Sequence, residues 1–376
     1  MTTFRQILIC CITLAVSNSI FGADKTSYFA FVGTYINKGE GIYNYKFDAR
    51  TGKLQSIGLA AKTANPTFLA VHPNHRFLYS VNAEKDGGVS AFSIDRATGH
   101  LTFLNRVSSK GDGPTYIVID RTGKWVLVAN YNSGSIAALP IHADGTLGEA
   151  SSFIQHHGSS VNPQRQQGPH AHFITISADN RFAIVCDLGL DEVLVYRFDA
   201  THGTLTPNDP PYAKVDPGAG PRHFAFHPNG KFGYVVAEMA STVTAFAWDG
   251  THGVLRKIQT ITTVPKGFSG NNTGAEIAVN PNGRFLYASN RGDNSIAVFT
   301  IDSTQGTLTP LEYVSTQGKT PRFFTLDPTD HFLFAANQDT GNIVLFKLDP
   351  KTGHLTPADV SVSLPAPVCV VFVPAS

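Results

Sequence analysis

The chain repeats itself about every 50 residues, and no other feature restricts its fold so strongly. One unit opens on Asn65-Pro66-Thr67-Phe68, turns at His72-Pro73-Asn74, and continues through Phe77–Asn82 and Val89–Asp95 to Thr98-Gly99-His100-Leu101. The opening recurs at Gly113-Pro114-Thr115-Tyr116, Gly220-Pro221-Arg222-His223 and Thr320-Pro321-Arg322-Phe323. The turn recurs as His227-Pro228, Asn280-Pro281 and Asp327-Pro328. The close recurs as Thr51-Gly52-Lys53-Leu54, His202-Gly203-Thr204-Leu205, Gln305-Gly306-Thr307-Leu308 and Thr352-Gly353-His354-Leu355. Each unit carries short runs of Val, Ile, Phe and Tyr alternating with small or polar residues and punctuated by Gly, Asn, Asp and Pro. A period of this length with four such runs predicts an all-β propeller, one four-stranded antiparallel blade per repeat.

The blades can be counted. The residue seven before each turn proline, or its equivalent, is Pro66, Pro114, Ala171, Pro221, Gly274, Pro321 and Pro367. The last opens a single strand, Val368–Val373, whereas Tyr28–Thr34, Gly41–Phe47 and Leu54–Leu59 near the start read as strands two, three and four. These four runs are expected to share one blade, which closes a seven-bladed ring and removes an open sheet edge. Residues 24–376 then form one domain, because each blade packs only on its neighbours. Charged residues make up 15% and the formal charge is +1, without a basic stripe, so nucleic acid is not an expected partner.

The first 23 residues differ. Arg5 precedes an apolar run from Ile7 to Val16, followed by Ser17-Asn18-Ser19 and Gly22-Ala23. This is a signal-peptide pattern, too short for a spanning helix, and predicts a periplasmic or extracellular protein with no membrane segment after its removal. Cys10 and Cys11 would leave with the signal, and Cys186 and Cys369, on blades that are not neighbours, are expected to be buried free thiols.

The repeat register also locates a candidate site. The innermost strand of each blade lines the channel, and it begins at Thr67, Thr115, His172, Arg222, Ala275, Arg322 and Val368. The next residues are Phe68, Tyr116, Phe173, His223, Glu276, Phe323 and Cys369. The second strand returns to the same face and ends at Ala83, Tyr131, Leu188, Glu238, Arg291 and Gln338. Blades with Thr, Ala and Leu show that the framework needs no charge there. Yet His172, Arg222, Glu238, Glu276, Arg291 and Arg322 fall there from four consecutive blades. Charged groups are seldom buried unless paired or functional. A polar insertion, Ser151–Pro169, leads into this region and ends near Gly168-Pro169-His170-Ala171-His172. Such loops shape ligand sites.

Gly33-Thr34-Tyr35, Gly168-Pro169-His170-Ala171-His172, Gly220-Pro221-Arg222-His223, Glu238 and Ser289-Asn290-Arg291-Gly292 together resemble the seven-bladed lactonase family. That family includes the propeller-type 6-phosphogluconolactonases and the fungal carboxy-cis,cis-muconate cyclases, and the resemblance runs from Tyr28 to Pro374. It implies hydrolysis of an anionic or sugar lactone without a cofactor. A His, two Arg and a Glu are proposed to act in the family's central cleft, and by motif they fall on His172, Arg222, Glu238 and Arg291. His170, Glu276, Arg322, Tyr131 and Gln338 are expected to contact substrate. Either Glu238 or His172 could take a proton from the attacking water, and Arg222 and Arg291 could hold the developing oxyanion. The competing structural reading makes Arg222 and Glu238 an ion pair within one blade and the two histidines turn caps. His170 and His172 also have the spacing of a metal-binding pair, without an obvious third ligand. No Gly-x-Ser-x-Gly elbow supports a serine nucleophile. The rival functions are lactonising cyclase and a non-enzymatic secreted propeller that binds a ligand or protein.

Overall fold

The computed structural model describes residues 26–35 and 39–376. Twenty-eight strands form seven four-stranded antiparallel sheets arranged as blades, with no helix among the described residues. The closing blade has the order Pro367–Pro374, Ser27–Thr34, Gly41–Asp48, Lys53–Lys62. Its two chain-distant strands pair antiparallel in register Ala30↔Phe372 and Phe31↔Val371. The shared blade read from the repeat is therefore present, with each strand slightly longer than the apolar run that marks it. The signal-like segment lies outside the described residues. No helix among the described residues is long and apolar enough to cross a membrane. Cys186 and Cys369 are buried free thiols.

The second strands depart from the alternation expected of them. Phe77–Asn82, Phe182–Asp187, Phe232–Ala237, Phe285–Asn290 and Phe332–Asn337 are buried at every position. Each lies mid-blade with a neighbouring blade on either face, so both of its faces want apolar or internally bonded side chains. Alternation survives on outer strands such as Leu355–Ser363, where one side meets solvent.

The recurring motifs fasten blade to blade. In the His-Pro turn, Asn74 N–H donates to His72 Nδ1, and Nε2–H donates to Gly123 O of the next blade at 2.8 Å. His227 repeats this with Asn229 and Gly283. The closing glycine of each unit lies under the aromatic ring that begins the second strand of the preceding blade. At Gly203, φ is 66° and an added Cβ would stand 2.2 Å from the Trp125 ring. Gly353 meets Phe285 in the same way. That contact is why the close of the repeat contains glycine.

Towards the axis, the second residues of the innermost strands fill the channel. Phe68 and Tyr116 have ring centroids 3.9 Å apart, Tyr116 and Phe173 4.2 Å, and Phe68 and Phe323 5.6 Å. His223 packs edge-on to Tyr116 at 5.1 Å. This aromatic plug converts the channel into a cup with a floor.

Candidate functional site

Above the plug lies a cavity of about 270 Å³ lined by His172, Glu238, Arg291, Arg322, Tyr131 and Arg165, among others. A local irregularity aims several of these side chains. The pairing of innermost and second strands slips between Pro114 and Tyr116, Ala171 and Phe173, Pro221 and His223, and Pro321 and Phe323. The residues left out of register are Thr115, His172, Arg222 and Arg322. A β-bulge frees one residue from the ladder and redirects its side chain, here towards the axis.

Glu238 follows the strand Phe232–Ala237 and is the hub of the site. Its Oε2 accepts from Arg222 Nε at 3.0 Å and lies 2.8 Å from an Arg291 guanidinium nitrogen. Its Oε1 accepts from Arg165 at 2.7 Å. Arg165 also donates to Tyr131 Oη at 3.1 Å. Arg222 is 2% exposed and further donates to Ala275 O at 2.7 Å and His223 Nε2 at 3.3 Å. Because His223 Nε2 accepts, its Nδ1–H donates to Glu276 Oε1, 3.0 Å away. Arg322 has no ion-pair or side-chain hydrogen-bond partner among the described residues and stacks over the Tyr35 ring at 5.1 Å. His172 is buried between Tyr131 and His223, with ring centroids 5.4 Å and 5.1 Å away, and its Nδ1 has no partner among the described residues.

The electrostatics follow from this crowding. Burial alone would raise the Glu238 carboxyl, but the Arg291 and Arg222 charges and the Arg165 hydrogen bond outweigh it and hold the group far below the usual carboxylate range. Burial, then the charges of Arg222, Arg322 and Arg291, push His172 well below the ordinary histidine value, so its imidazole is neutral at pH 7. Burial and the Arg222 charge do the same to His223. Burial pushes Glu276 up to about 8, so its carboxyl is largely protonated at neutral pH. Burial and the neighbouring Arg291 and Arg322 charges lower Arg222, yet a guanidinium remains charged near neutrality.

Among the sequence candidates, His172, Glu238, Arg291, Tyr131 and Arg322 line the cavity, and Arg222 lines a smaller recess directly beneath it. His170, Glu276 and Gln338 are set back. His170 stacks on Tyr131 at 4.6 Å and its Nδ1 bonds Tyr131 O at 2.9 Å, so it braces that ring. Glu276 stands behind His223. Gln338 is half-buried and does not line the cavity. Among the described residues no three His, Cys, Asp or Glu side chains gather to hold a metal.

The register reading missed Arg165. It belongs to the Ser151–Pro169 insertion between blades, which is longer than the equivalent connection carrying Pro265–Thr273, and it lies outside the strands, so it has no register position. The insertion is pinned by Ser160 Oγ donating to Asp191 at 2.6 Å, Gln166 Nε2 donating to Leu188 O at 2.8 Å, and His156 bonding Asp187 at 2.7 Å. An arginine in a loop leading to a cluster with acidic members was the available signal.

Comparison with known proteins places these features in context. A family model described as lactonase, 7-bladed beta-propeller, matches residues 29–372. The chain is 41% identical over 349 residues to a 6-phosphogluconolactonase of Bacillus subtilis, covering 92% of this chain and 99% of the relative. A periplasmic gluconolactonase structure from Pseudomonas aeruginosa superposes with a TM-score of 0.89 at 34% identity, covering 93% of this chain and 100% of the other. A structure from Bacteroides fragilis gives a TM-score of 0.87 at 36% identity, covering 93% of this chain and 99% of the other.

Proposed function

The chain belongs to the seven-bladed β-propeller lactonase family, and from that premise we propose that its cup hydrolyses an anionic sugar lactone, with a phosphorylated aldonolactone as the leading substrate. The observation that carries the choice is charge. Four guanidinium groups, from Arg165, Arg222, Arg291 and Arg322, face a single ionised carboxylate, Glu238, while Glu276 is largely protonated. Three positive charges are left to be met. One matches the oxyanion of a tetrahedral intermediate, and a phosphate dianion matches the rest. Arg322, stacked on Tyr35 and without a carboxylate partner among the described residues, takes the phosphate in this reading. In the same reading Arg222 and Arg291 meet the oxyanion.

His172 is the base in this reading. Glu238 is bonded by three arginines and has little proton affinity left. Its part is to gather those guanidinium groups and keep them from repelling one another. Burial and the neighbouring charges keep His172 neutral, and one of its ring nitrogens has no partner among the described residues. The lactonising cyclase and the non-enzymatic binder are not favoured by the relatives. The test is acid release in a pH-stat from 6-phosphogluconolactone and from glucono-1,5-lactone. Higher kcat/KM on the phosphorylated compound supports the reading, and a preference for the neutral lactone would reverse the substrate assignment.

We also infer a location outside the cytoplasm from the signal-like first 23 residues, and the periplasmic description of the Pseudomonas protein is in keeping with it. N-terminal sequencing of the native protein should begin between about Ile20 and Asp24. An intact Met1 segment in the cytosolic fraction would overturn the inference.

A further inference from the structure

Beneath the main cavity, between it and the aromatic plug, lies a recess of about 10 Å³ lined by Thr67, Thr115, His172, Arg222, His223 and Arg322, among others. Two of the residues on its walls each carry a buried polar atom with no hydrogen-bond partner among the described residues: Thr67 Oγ1 and His172 Nδ1. Both residues are buried, at 5% and 3% exposure. The matching hydroxyl one blade on, Thr115 Oγ1, already donates to Gly113 O at 2.9 Å. Thr67 and His172 both line the main cavity as well, so the recess opens towards bound substrate.

We propose that Thr67 and His172 together hold the attacking water in this recess, with Thr67 as a positioning residue for the nucleophile. Three observations support the assignment. About 10–15 Å³ is the space one water needs, so the recess admits a water and nothing larger. A buried hydroxyl and a buried imidazole nitrogen are each costly to leave unpaired, and one water satisfies both. The Arg222 and Arg322 charges beside the recess favour loss of a proton from that water. The proposal deepens the lactonase reading and rests on it.

The step balances as follows. Thr67 Oγ1 orients the water. The water oxygen bonds to the lactone carbonyl carbon as one of its protons passes to His172 Nδ1, the ring's hydrogen being on Nε2. The carbonyl π pair moves onto oxygen beside Arg222 and Arg291. Collapse of the intermediate breaks the bond from the carbonyl carbon to the ring oxygen, which takes the proton back from His172. The product is the open hydroxy acid, which gives its carboxyl proton to solvent.

The test uses the full chain, with Thr67→Val and Thr67→Ser assayed on whichever lactone the wild type hydrolyses. Valine keeps the shape and removes the hydroxyl. It should lower kcat about 10–10²-fold with little change in KM or melting temperature, the scale of a misplaced reactant. Serine should restore most of the rate, which loss of packing alone would not explain. A high-resolution crystal structure of the wild type should place one ordered water within hydrogen-bond distance of Thr67 Oγ1 and His172 Nδ1. A folded Thr67→Val enzyme with wild-type kcat, or a recess without that water in the crystal, overturns the assignment while leaving the lactonase reading intact. A wild type inactive on every lactone overturns the reading itself.

Discussion

Glu238 is shared by three arginines, and this arrangement sets what single substitutions should do. Arg222 bonds Glu238, Ala275 O and His223 at once, so the group proposed to meet the oxyanion is held rigidly. Arg222→Ala should lower kcat by roughly 10²–10³, the scale for losing one oxyanion donor, and Arg222→Lys should recover only part, because an ammonium cannot reproduce the fork. Steady-state kinetics on the folded variants check this. His172, the proposed base, should stay competent at unusually low pH. Its protonated form is disfavoured by burial and by the Arg222, Arg322 and Arg291 charges, so the acid limb of kcat/KM should fall below the ordinary histidine value near 6.5. A rate profile between about pH 4 and 7 decides it. Glu276 gives a stability prediction. Its folded-state value is raised to about 8, whereas the unfolded chain loses that proton near the ordinary value of 4.5. Between those values the folded state binds more protons, so stability falls as pH rises. Glu276→Gln removes the dependence, and its melting temperature relative to wild type should rise from pH 5 to pH 8. Register made His172, Arg222 and Arg322 legible because equivalent positions elsewhere carry Thr, Ala or Val. Thr67 could not be found this way, since it looks like its neighbour Thr115 until hydrogen bonds distinguish them.

Two kinds of local geometry set the precision of the strands. The bulges that release Thr115, His172, Arg222 and Arg322 were not legible in the sequence, because a polar residue at the start of a strand reads the same whether or not the ladder slips there. The sequence thus indicates which residues begin the innermost strands, and the ladder decides where they point. The turn glycines are the opposite case, visible as motifs but with a reason only the packing supplies. Gly203 and Gly230 have φ of 66° and 70°, yet an added Cβ meets the Trp125 ring at 2.2 Å in the first and nothing within 4 Å in the second. Gly230→Ala should therefore cost about 1 kcal/mol, the strain of a left-handed residue. Gly203→Ala should cost clearly more, because Trp125 must also move. Denaturant midpoints of the two variants measure the difference. The full burial of strands such as Phe285–Asn290 was likewise not legible, since alternation presumes one wet face and these strands have none.

For the whole molecule, the blade count and the shared closing blade were legible because both follow from adding up repeats. The depth of the cup was not, because it depends on four rings meeting across the axis from different blades. Truncation before Pro367 removes the innermost strand of the closing blade and exposes the edge of Ser27–Thr34. The truncated chain should melt far below the intact one or lose cooperativity, as thermal unfolding followed by circular dichroism would show. An unchanged transition would mean that the ring does not need its clasp. The same clasp fixes an order of events during synthesis. Ser27–Thr34 leaves the ribosome before every other strand of the ring, and its partner Pro367–Pro374 comes only after all of them. A nascent chain can therefore stack blades as they emerge but cannot lock them. If the protein is exported, this delay leaves an open, threadable polypeptide at the moment the translocation machinery must receive it.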